Sequence, residues 1–142
     1  MRRKSDAQVY LEQVEMLDAI IKNKLIERKQ WREVAMSITA NMDGERVQSS
    51  GARSKMADAV DKCVDMEAEI DALVDRLIEK KQEVIAVLEQ MSNATEYNVL
   101  HKRFIQFKTL REIADEYNKD YDWVKTVNGR AIASVQRILD RK

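Results

Sequence analysis

The stretch TLREIADEYNKDYDWV, residues 109–124, has the pattern of two short helices joined by a tight turn. Thr109 can cap the first helix, and Glu112, three residues later, completes a capping box. Asn118 tolerates the left-handed conformation that closes many helices, and the carboxylate of Asp120 can cap the second helix. The stretch therefore predicts a helix-turn-helix.

A calcium loop is the alternative interpretation of the same stretch. Asn118, Asp120 and Asp122 carry side-chain oxygens at a spacing of two, as at the start of an EF-hand loop. An EF-hand also needs Gly at position 6 and a bidentate Glu at position 12. Those positions hold Trp123 and Gly129, so the sharp turn and the closing ligand are both missing. We therefore expect no metal site and no cofactor.

Three helices are predicted in the C-terminal part, over 94–105, 109–117 and 121–139, with the short connections QFK and NKD between them. Ser92 or Asn93 can cap the first of them. Apolar residues at helical spacing give each helix one core-facing side. The residues expected to face the core are Tyr97, Leu100, Phe104, Ile105, Leu110, Ile113, Ala114, Tyr117, Val124, Val127, Ala131, Val135 and Ile138.

The N-terminal part carries two long periodic segments, which predict helices over 5–40 and 54–91. Ser5 or Asp6 can cap the first. The break between them, 41–55, holds two of the three glycines and is interpreted as a passive loop rather than a contact surface. We expect the two helices to form a long antiparallel, coiled-coil-like hairpin, each helix about 50 Å long at 1.5 Å per residue.

The apolar stripe of the second long helix is wider than a two-residue-per-heptad seam. The residues that widen it are Val60, Val64, Val74, Ile78, Ile85 and Leu88. A wide stripe indicates packing on more than one partner. Two arrangements satisfy it: hairpins of several copies associate, or the C-terminal module folds back over the stripe. We expect a homo-oligomer through the N-terminal helices.

Composition supports an all-α fold: the 142 residues include no Pro and three Gly, with 44% hydrophobic and 35% charged residues. Two domains are predicted, a hairpin for dimerisation or interaction over 1–91 and a helix-turn-helix domain over 92–142. The first carries a net charge of −3 and the second +3. This asymmetry permits nucleic-acid binding by the C-terminal domain.

Several classes of protein are disfavoured by what the chain lacks. The single Cys cannot form an internal disulfide, and no apolar run approaches the roughly 20 residues that span a bilayer. One His and one Cys do not supply a metal cluster or a Cys–His site, and no glycine-rich phosphate loop occurs. We expect a cytoplasmic protein that has no membrane partner and is not an enzyme.

Residues 99–139 resemble region 4 of sigma factors of the sigma-70 class. The shared pattern is a Leu–x–x–Arg–aromatic helix, then Thr–Leu–x–Glu–Ile–Ala, then a capped second helix. These positions are Leu100, Arg103, Phe104, Thr109, Leu110, Glu112, Ile113, Ala114, Val124, Arg130, Ala131 and Ile132. The layout of the whole chain is similar to late transcription regulators of the RinA and ArpU type from phages and prophages. The resemblance implies a sigma-factor-like regulator of prophage origin that acts with host RNA polymerase.

A helix-turn-helix places its second helix in the major groove of double-stranded DNA. Lys125 and Arg130 then suit phosphate or guanine, Thr126 suits a thymine methyl group, and Asp122 suits cytosine. Residues 108–111, at the start of the preceding helix, suit a phosphate. The expected DNA-binding residues are Lys108, Thr109, Arg111, Tyr121, Asp122, Lys125, Thr126 and Arg130.

Two functions are compatible with this pattern. The first is a sequence-specific DNA-binding transcription regulator, and the second is an adaptor that uses its helix-turn-helix for protein contacts without binding DNA. The turn departs from the sigma-like pattern, because Asn118 and Lys119 stand where Gly and an apolar residue are usual. Acidic Asp120 and Asp122 favour the adaptor, since DNA carries negative charge. The sequence predicts the regulator. If the chain is instead an adaptor that does not bind DNA, Lys125 and Arg130 belong to an ordinary solvent-exposed helix face.

Overall fold

A computed structural model describes residues 3–44 and 50–141, and every element in these ranges is helical. The helices are α1 (Asp6–Gly44), α2 (Ser50–Leu88), α3 (Ala94–Leu100), α4 (Leu110–Tyr117) and α5 (Tyr121–Asp140), and α3 continues directly into a π-helical turn (His101–Ile105). The predicted all-α class is confirmed. Within the described ranges, no helix has the length and apolar character that crossing a membrane requires.

The break in the hairpin is shorter than predicted. The loop expected over 41–55 is wrong at both ends, because α1 extends through Gly44 and α2 begins at Ser50. The middle of that loop, 45–49, lies outside the described residues, and so does its predicted passive role. Gly44 is the last residue of α1 and Gly51 the second of α2, so neither glycine interrupts a helix interior, where it would cost most.

Side-chain caps define two helix starts. Ser5 caps α1, since its Oγ accepts a hydrogen bond from the backbone N–H of Gln8 at 3.2 Å. Asn93 caps α3, since its Oδ1 accepts from the backbone N–H of Glu96 at 3.0 Å. Of the alternatives in the sequence, Ser5 and Asn93 are therefore the capping residues. Helix α2 ends at Leu88, three residues before its predicted end.

The chain divides into two compact units. The mixed unit comprises Met1–Leu17 and Leu77–Lys142, and the hairpin unit comprises Asp18–Arg76. In the mixed unit the start of α1 packs against the end of α2, and in the hairpin unit the rest of α1 runs beside the start of α2. Both pairings are antiparallel, so the predicted long hairpin is confirmed.

Two hydrophobic clusters form the core of the mixed unit. The larger joins both hairpin helices to the C-terminal helices and contains Ala7, Leu11, Val14, Val84, Val87, Leu88, Leu100, Phe104, Ile105, Ala131, Val135 and Ile138. C-terminal helices therefore cover part of the apolar stripe of α2, which is one of the two arrangements expected from its width. This packing joins residues on both sides of the predicted domain boundary at 91/92. The separate functions of the two predicted domains stay a prediction.

The hairpin unit buries much less. Among its described residues, the apolar side chains that are buried are Ile21, Ala59, Met66 and Ile70. Leu25, Trp31 and Val34, which the periodicity placed on the inner face of α1, are 38–43% exposed. Continuing the three- and four-residue steps of the α1 seam beyond Ile21 leads to Lys24 and then to a second cation, Arg28. Charged seam positions leave little apolar surface for α2 to cover there.

Candidate nucleic-acid interface

The first helix of the predicted helix-turn-helix starts with a complete capping box. Thr109 Oγ1 accepts from the backbone N–H of Glu112, and Glu112 Oε1 accepts from the backbone N–H of Thr109, both at 3.1 Å. Each residue satisfies a backbone donor that the helix itself leaves without a partner. The capping box predicted from the sequence is confirmed, and it fixes the start of α4 after the QFK connection.

The turn between α4 and α5 follows the prediction in its backbone and departs from it in one side chain. Asn118 has φ 54° and ψ 44°, the left-handed conformation, and the N–H of Lys119 donates to the carbonyl of Ala114 at 3.0 Å. Asp120 occupies the capping position of α5 with an extended backbone, but its carboxylate makes no capping hydrogen bond. The predicted carboxylate cap is therefore wrong. Asp120 is exposed, so water can solvate both its carboxylate and the free amides.

A small apolar cluster holds α4 against α5. It consists of Val99, Ile113, Ala114, Val124 and Val127, from α3, α4 and α5. The short side chain of Ala114 permits a close crossing, as expected. Val99 was absent from the predicted core residues, because it lies one position beside the apolar face assigned to its helix. The cluster packs α5 against α3 and α4 and so fixes its orientation.

The outward face of α5 is open to solvent. Its exposed residues are Tyr121, Asp122, Lys125, Thr126, Gly129 and Arg130. The hydroxyl of Thr126 donates to the carbonyl of Asp122 at 2.9 Å, which leaves the methyl group of Thr126 facing away from that bond. The predicted readout residues of this helix therefore share one accessible face, and the core cluster lies on the opposite face.

Four of the predicted DNA-binding residues line one cavity of about 510 Å³ at the start of α4. They are Lys108, Thr109, Arg111 and Tyr121. The guanidinium carbon of Arg111 lies 5.1 Å from the centroid of the Tyr121 ring, which suits a cation–π contact. The start of α4 and the start of α5 thus contribute to one surface.

Arg103 also lines this cavity, and the sequence did not identify it as a site residue. It brings the cations of the cavity to three, against one carboxylate, Glu15. The connection that precedes α4 contains Phe107 with φ 60°, and its chain reversal is closed by the N–H of Lys108, which donates to the carbonyl of Lys102 at 3.0 Å. QFK contains neither Gly nor Asn, so nothing in it signals a left-handed residue.

Lys108 is already paired within the chain. Its Nζ lies 2.9 Å from Oε1 of Glu116, and the Nζ of Lys102 lies 3.0 Å from the same oxygen. Hydrogen bonds from Lys108, which has the larger effect, and from Lys102 keep the pKa of the Glu116 carboxyl below its usual value. A phosphate that contacts Lys108 would therefore compete with the carboxylate of Glu116.

Arg130 lies apart from the cavity at the start of α4. It lines a second cavity, of about 200 Å³, together with Trp123 and with the capping residue Asn93. Trp123 packs at the edge of the core, with its ring centroid 5.7 Å from that of Tyr117. The predicted site residues are thus divided between a cleft at the start of α4 and the outward face of α5.

Asn128 is a buried polar residue that the sequence did not single out. It is 8% exposed and lies on the core-facing side of α5, next to Val124 and Val127. Its Oδ1 has no hydrogen-bond partner. A buried amide oxygen without a partner costs free energy of folding, about 1–3 kcal/mol.

The stretch that resembles the start of a calcium loop forms the turn between α4 and α5 and the first residues of α5. Among the side chains that the structure describes, no three His, Cys, Asp or Glu residues come together in a group that could hold a metal ion. Comparisons with known proteins leave the family open: no family model matches the chain, and neither a curated protein nor a solved structure matches it significantly.

Proposed function

We propose that the chain is a sequence-specific DNA-binding transcription regulator that is sigma-factor-like and of prophage origin. The observation that carries the proposal is the exposed outward face of α5, which includes Lys125 and Arg130. Helix α5 is held in place by its packing against the capped helix α4. Helices presented in this way enter the major groove of DNA with their N-terminal residues near the base edges.

The two parts of the site have different roles in this proposal. On α5, Lys125 and Arg130 contact phosphate or guanine, while Thr126 and Asp122 contact a thymine methyl group and a cytosine amine. The cleft at the start of α4 holds a phosphate through the side chain of Arg111, which sets the register of α5 on the duplex. The proposal assigns no catalytic residue and no cofactor.

A single module of this size offers a small contact area, so tight binding requires a second module or a protein partner. We propose that the N-terminal helices supply the second module through homo-oligomerisation in the cytoplasm, and that host RNA polymerase is a further partner. The resemblance to sigma region 4 supports the polymerase contact.

An adaptor that binds protein through the helix-turn-helix, and not DNA, is the second candidate function. Two observations favour it. Asp122 is exposed at the start of the recognition helix, where it would repel phosphate. Lys108, a predicted phosphate contact, is already neutralised by Glu116.

The decisive experiment measures binding of the purified full chain to DNA from upstream of its own and neighbouring genes, at two salt concentrations. We expect specific binding that weakens as salt rises, because each neutralised phosphate contributes about −0.9 to the slope of log K against log salt. The double variant Lys125→Ala, Arg130→Ala should lose affinity at every sequence and lower that slope by about two if both contact phosphate.

A matched control removes one exposed Arg and one exposed Lys outside the proposed site, near the start of α2: the double variant Arg53→Ala, Lys55→Ala should leave binding close to wild type. If Lys125→Ala, Arg130→Ala binds as wild type does, the assignment of the site to α5 is wrong. If the wild-type chain binds no DNA even with RNA polymerase present, the adaptor is favoured.

A further inference from the structure

We propose that a groove on the hairpin unit is the docking surface for a second copy of this chain, in a parallel twofold arrangement that sets α1 of each copy beside α2 of the other. The inference rests on the oligomeric part of the proposed function and is independent of DNA binding.

The groove lies between α1 and α2 of the hairpin unit and has a volume of about 510 Å³. Its apolar lining includes Met36, Val60, Cys63 and Val64, with exposed fractions of 65% for Met36, 43% for Val60 and 58% for Val64. Contiguous exposed apolar surface on a small domain marks an interaction site. These valines belong to the residues that widen the stripe of α2, so the seam between α1 and α2 does not use them.

The charges of the two helices identify the occupant. Residues 20–32 of α1 hold five Lys or Arg and one Glu, whereas residues 58–75 of α2 hold seven Asp or Glu and one Lys. A helix seated in the groove lies beside both helices, so a partner helix of either sign meets its own sign on one side. A second hairpin avoids this conflict, because it brings one basic and one acidic helix.

A twofold axis parallel to the helices produces alternating signs around a four-helix bundle. Each α1 then has its own α2 on one side and the α2 of the second copy on the other, and the same patch serves both copies. An antiparallel pairing of the two hairpins lacks this level-by-level match. The geometry of the bundle therefore follows from the distribution of charge along the two helices.

Arg32 and Glu67 mark the charged rim of the groove, one on each helix. Their intrachain pair is loose, with Arg32 Nη2 3.7 Å from Glu67 Oε1, and both side chains are at least half exposed. Since the two residues lie at one level, parallel twofold pairing lets Arg32 of each copy meet Glu67 of the other.

The surface is large enough for a stable dimer. Each helix of the hairpin unit is about 40 Å long at 1.5 Å per residue, and a helix is about 10 Å wide. Two such helices side by side present on the order of 800 Å², which is the area that each partner buries in a standard interface.

The first test measures the mass of the full chain in solution by sedimentation equilibrium over a range of concentrations, without DNA. We expect a dimer for the wild type, and a dissociation constant raised on the order of ten-fold or more by Val64→Glu, which places a charge in the groove. The matched control is Val34→Glu, the same change at a residue of the same unit that is 43% exposed, outside the groove lining and outside the basic run 20–32. It should remain dimeric.

Cys63 gives a second readout, because it is the single cysteine of the chain and lines the groove. Alkylation by a bulky maleimide should slow as the wild-type concentration rises, and Val64→Glu should remove that protection. A wild type that is monomeric at high concentration overturns the proposal, as does a dimer that Val64→Glu leaves intact.

A charge exchange between two copies tests the register. Arg32→Glu and Glu67→Arg should each weaken the dimer, since each homodimer then faces like charges. Mixing the two variants should restore a heterodimer, because each reversed residue meets its opposite in the other copy while the pair within each chain stays broken. Failure of the mixture to associate contradicts this pairing. All these measurements are made without DNA, so they stand or fall separately from the DNA-binding site.

Discussion

The mixed unit and the hairpin unit are built on the same two helices and differ in what covers them. On α1, Val14 is fully buried in the mixed unit, whereas Val34 in the hairpin unit is 43% exposed. The mixed unit adds α3, the π-helical turn and α5 to the hairpin pair, which closes a large apolar cluster. Helical periodicity therefore identifies the apolar face of a helix but not the element that buries it.

Two side-chain truncations, one in each unit, test this difference in burial, and the first should have the largest effect on stability. Phe104→Ala removes a side chain that is 1% exposed at the centre of the larger cluster and should lower the free energy of unfolding by about 3–5 kcal/mol. Met66→Ala, 7% exposed in the hairpin unit, should cost about 2 kcal/mol, the low end for such a truncation, since a two-helix seam relaxes easily. Urea unfolding followed by circular dichroism gives both values. Equal losses would remove the distinction between the units.

Asn128 is the flaw in the otherwise apolar core of the mixed unit. Asn128→Leu keeps the branching of the side chain and removes the amide oxygen that has no partner, so it should stabilise the protein by about 1–3 kcal/mol. The thermal midpoint should rise, while DNA affinity stays unchanged because the residue is buried. A loss of stability would show instead that the amide has a bound polar partner in solution.

The two helix starts of the helix-turn-helix provide a matched pair of smaller effects. Thr109→Ala removes a cap that is made in both directions and should cost about 1 kcal/mol. Asp120→Ala removes a residue that stands at the capping position without a capping hydrogen bond, so its effect should be close to zero. Chemical denaturation of the two variants measures the difference. A larger loss for Asp120→Ala would mean that its carboxylate does cap α5 in solution.

Features set by local chemistry could be predicted from the sequence. The caps at Ser5, Asn93 and Thr109 and the left-handed residue at Asn118 depend on side chains within three or four positions of the backbone groups that they satisfy. The left-handed conformation of Phe107 could not be predicted, because a bulky residue adopts it only where surrounding packing enforces it.

In the candidate site, the outward-facing residues of α5 could be predicted from the sequence, but the contacts around the start of α4 could not. Periodicity alone places Asp122, Lys125 and Thr126 on the outward face of α5 once the core-facing residues are assigned. The addition of Arg103 to the cleft depends on the chain reversal before α4, and the pairing of Lys108 with Glu116 depends on how that reversal meets α4. Neither contact leaves a signature in residue spacing.

Glu116→Gln should have a small effect on stability and a more visible effect on DNA binding. Glu116 is exposed, and its folded-state pKa lies below the usual value because Lys108 and Lys102 hydrogen-bond to its carboxylate. The pair therefore adds stability at pH values above the unfolded pKa, and this contribution disappears as the pH falls through the folded pKa. Unfolding measured from neutral to acidic pH should show a smaller loss of stability in the variant than in the wild type, because other carboxyls such as Glu12 also have a lowered pKa.

The DNA affinity of the same variant, Glu116→Gln, distinguishes the two proposed functions. Glu116→Gln frees two lysines beside the cleft at the start of α4, so a DNA-binding protein should gain affinity and show a salt slope steeper by up to about two. Asp115→Asn, the same change of charge at the neighbouring exposed residue, controls for net charge. Equal gains from both variants would indicate a long-range effect of charge. A gain from Glu116→Gln alone would indicate that Lys108, Lys102 or both contact phosphate once Glu116 no longer pairs with them.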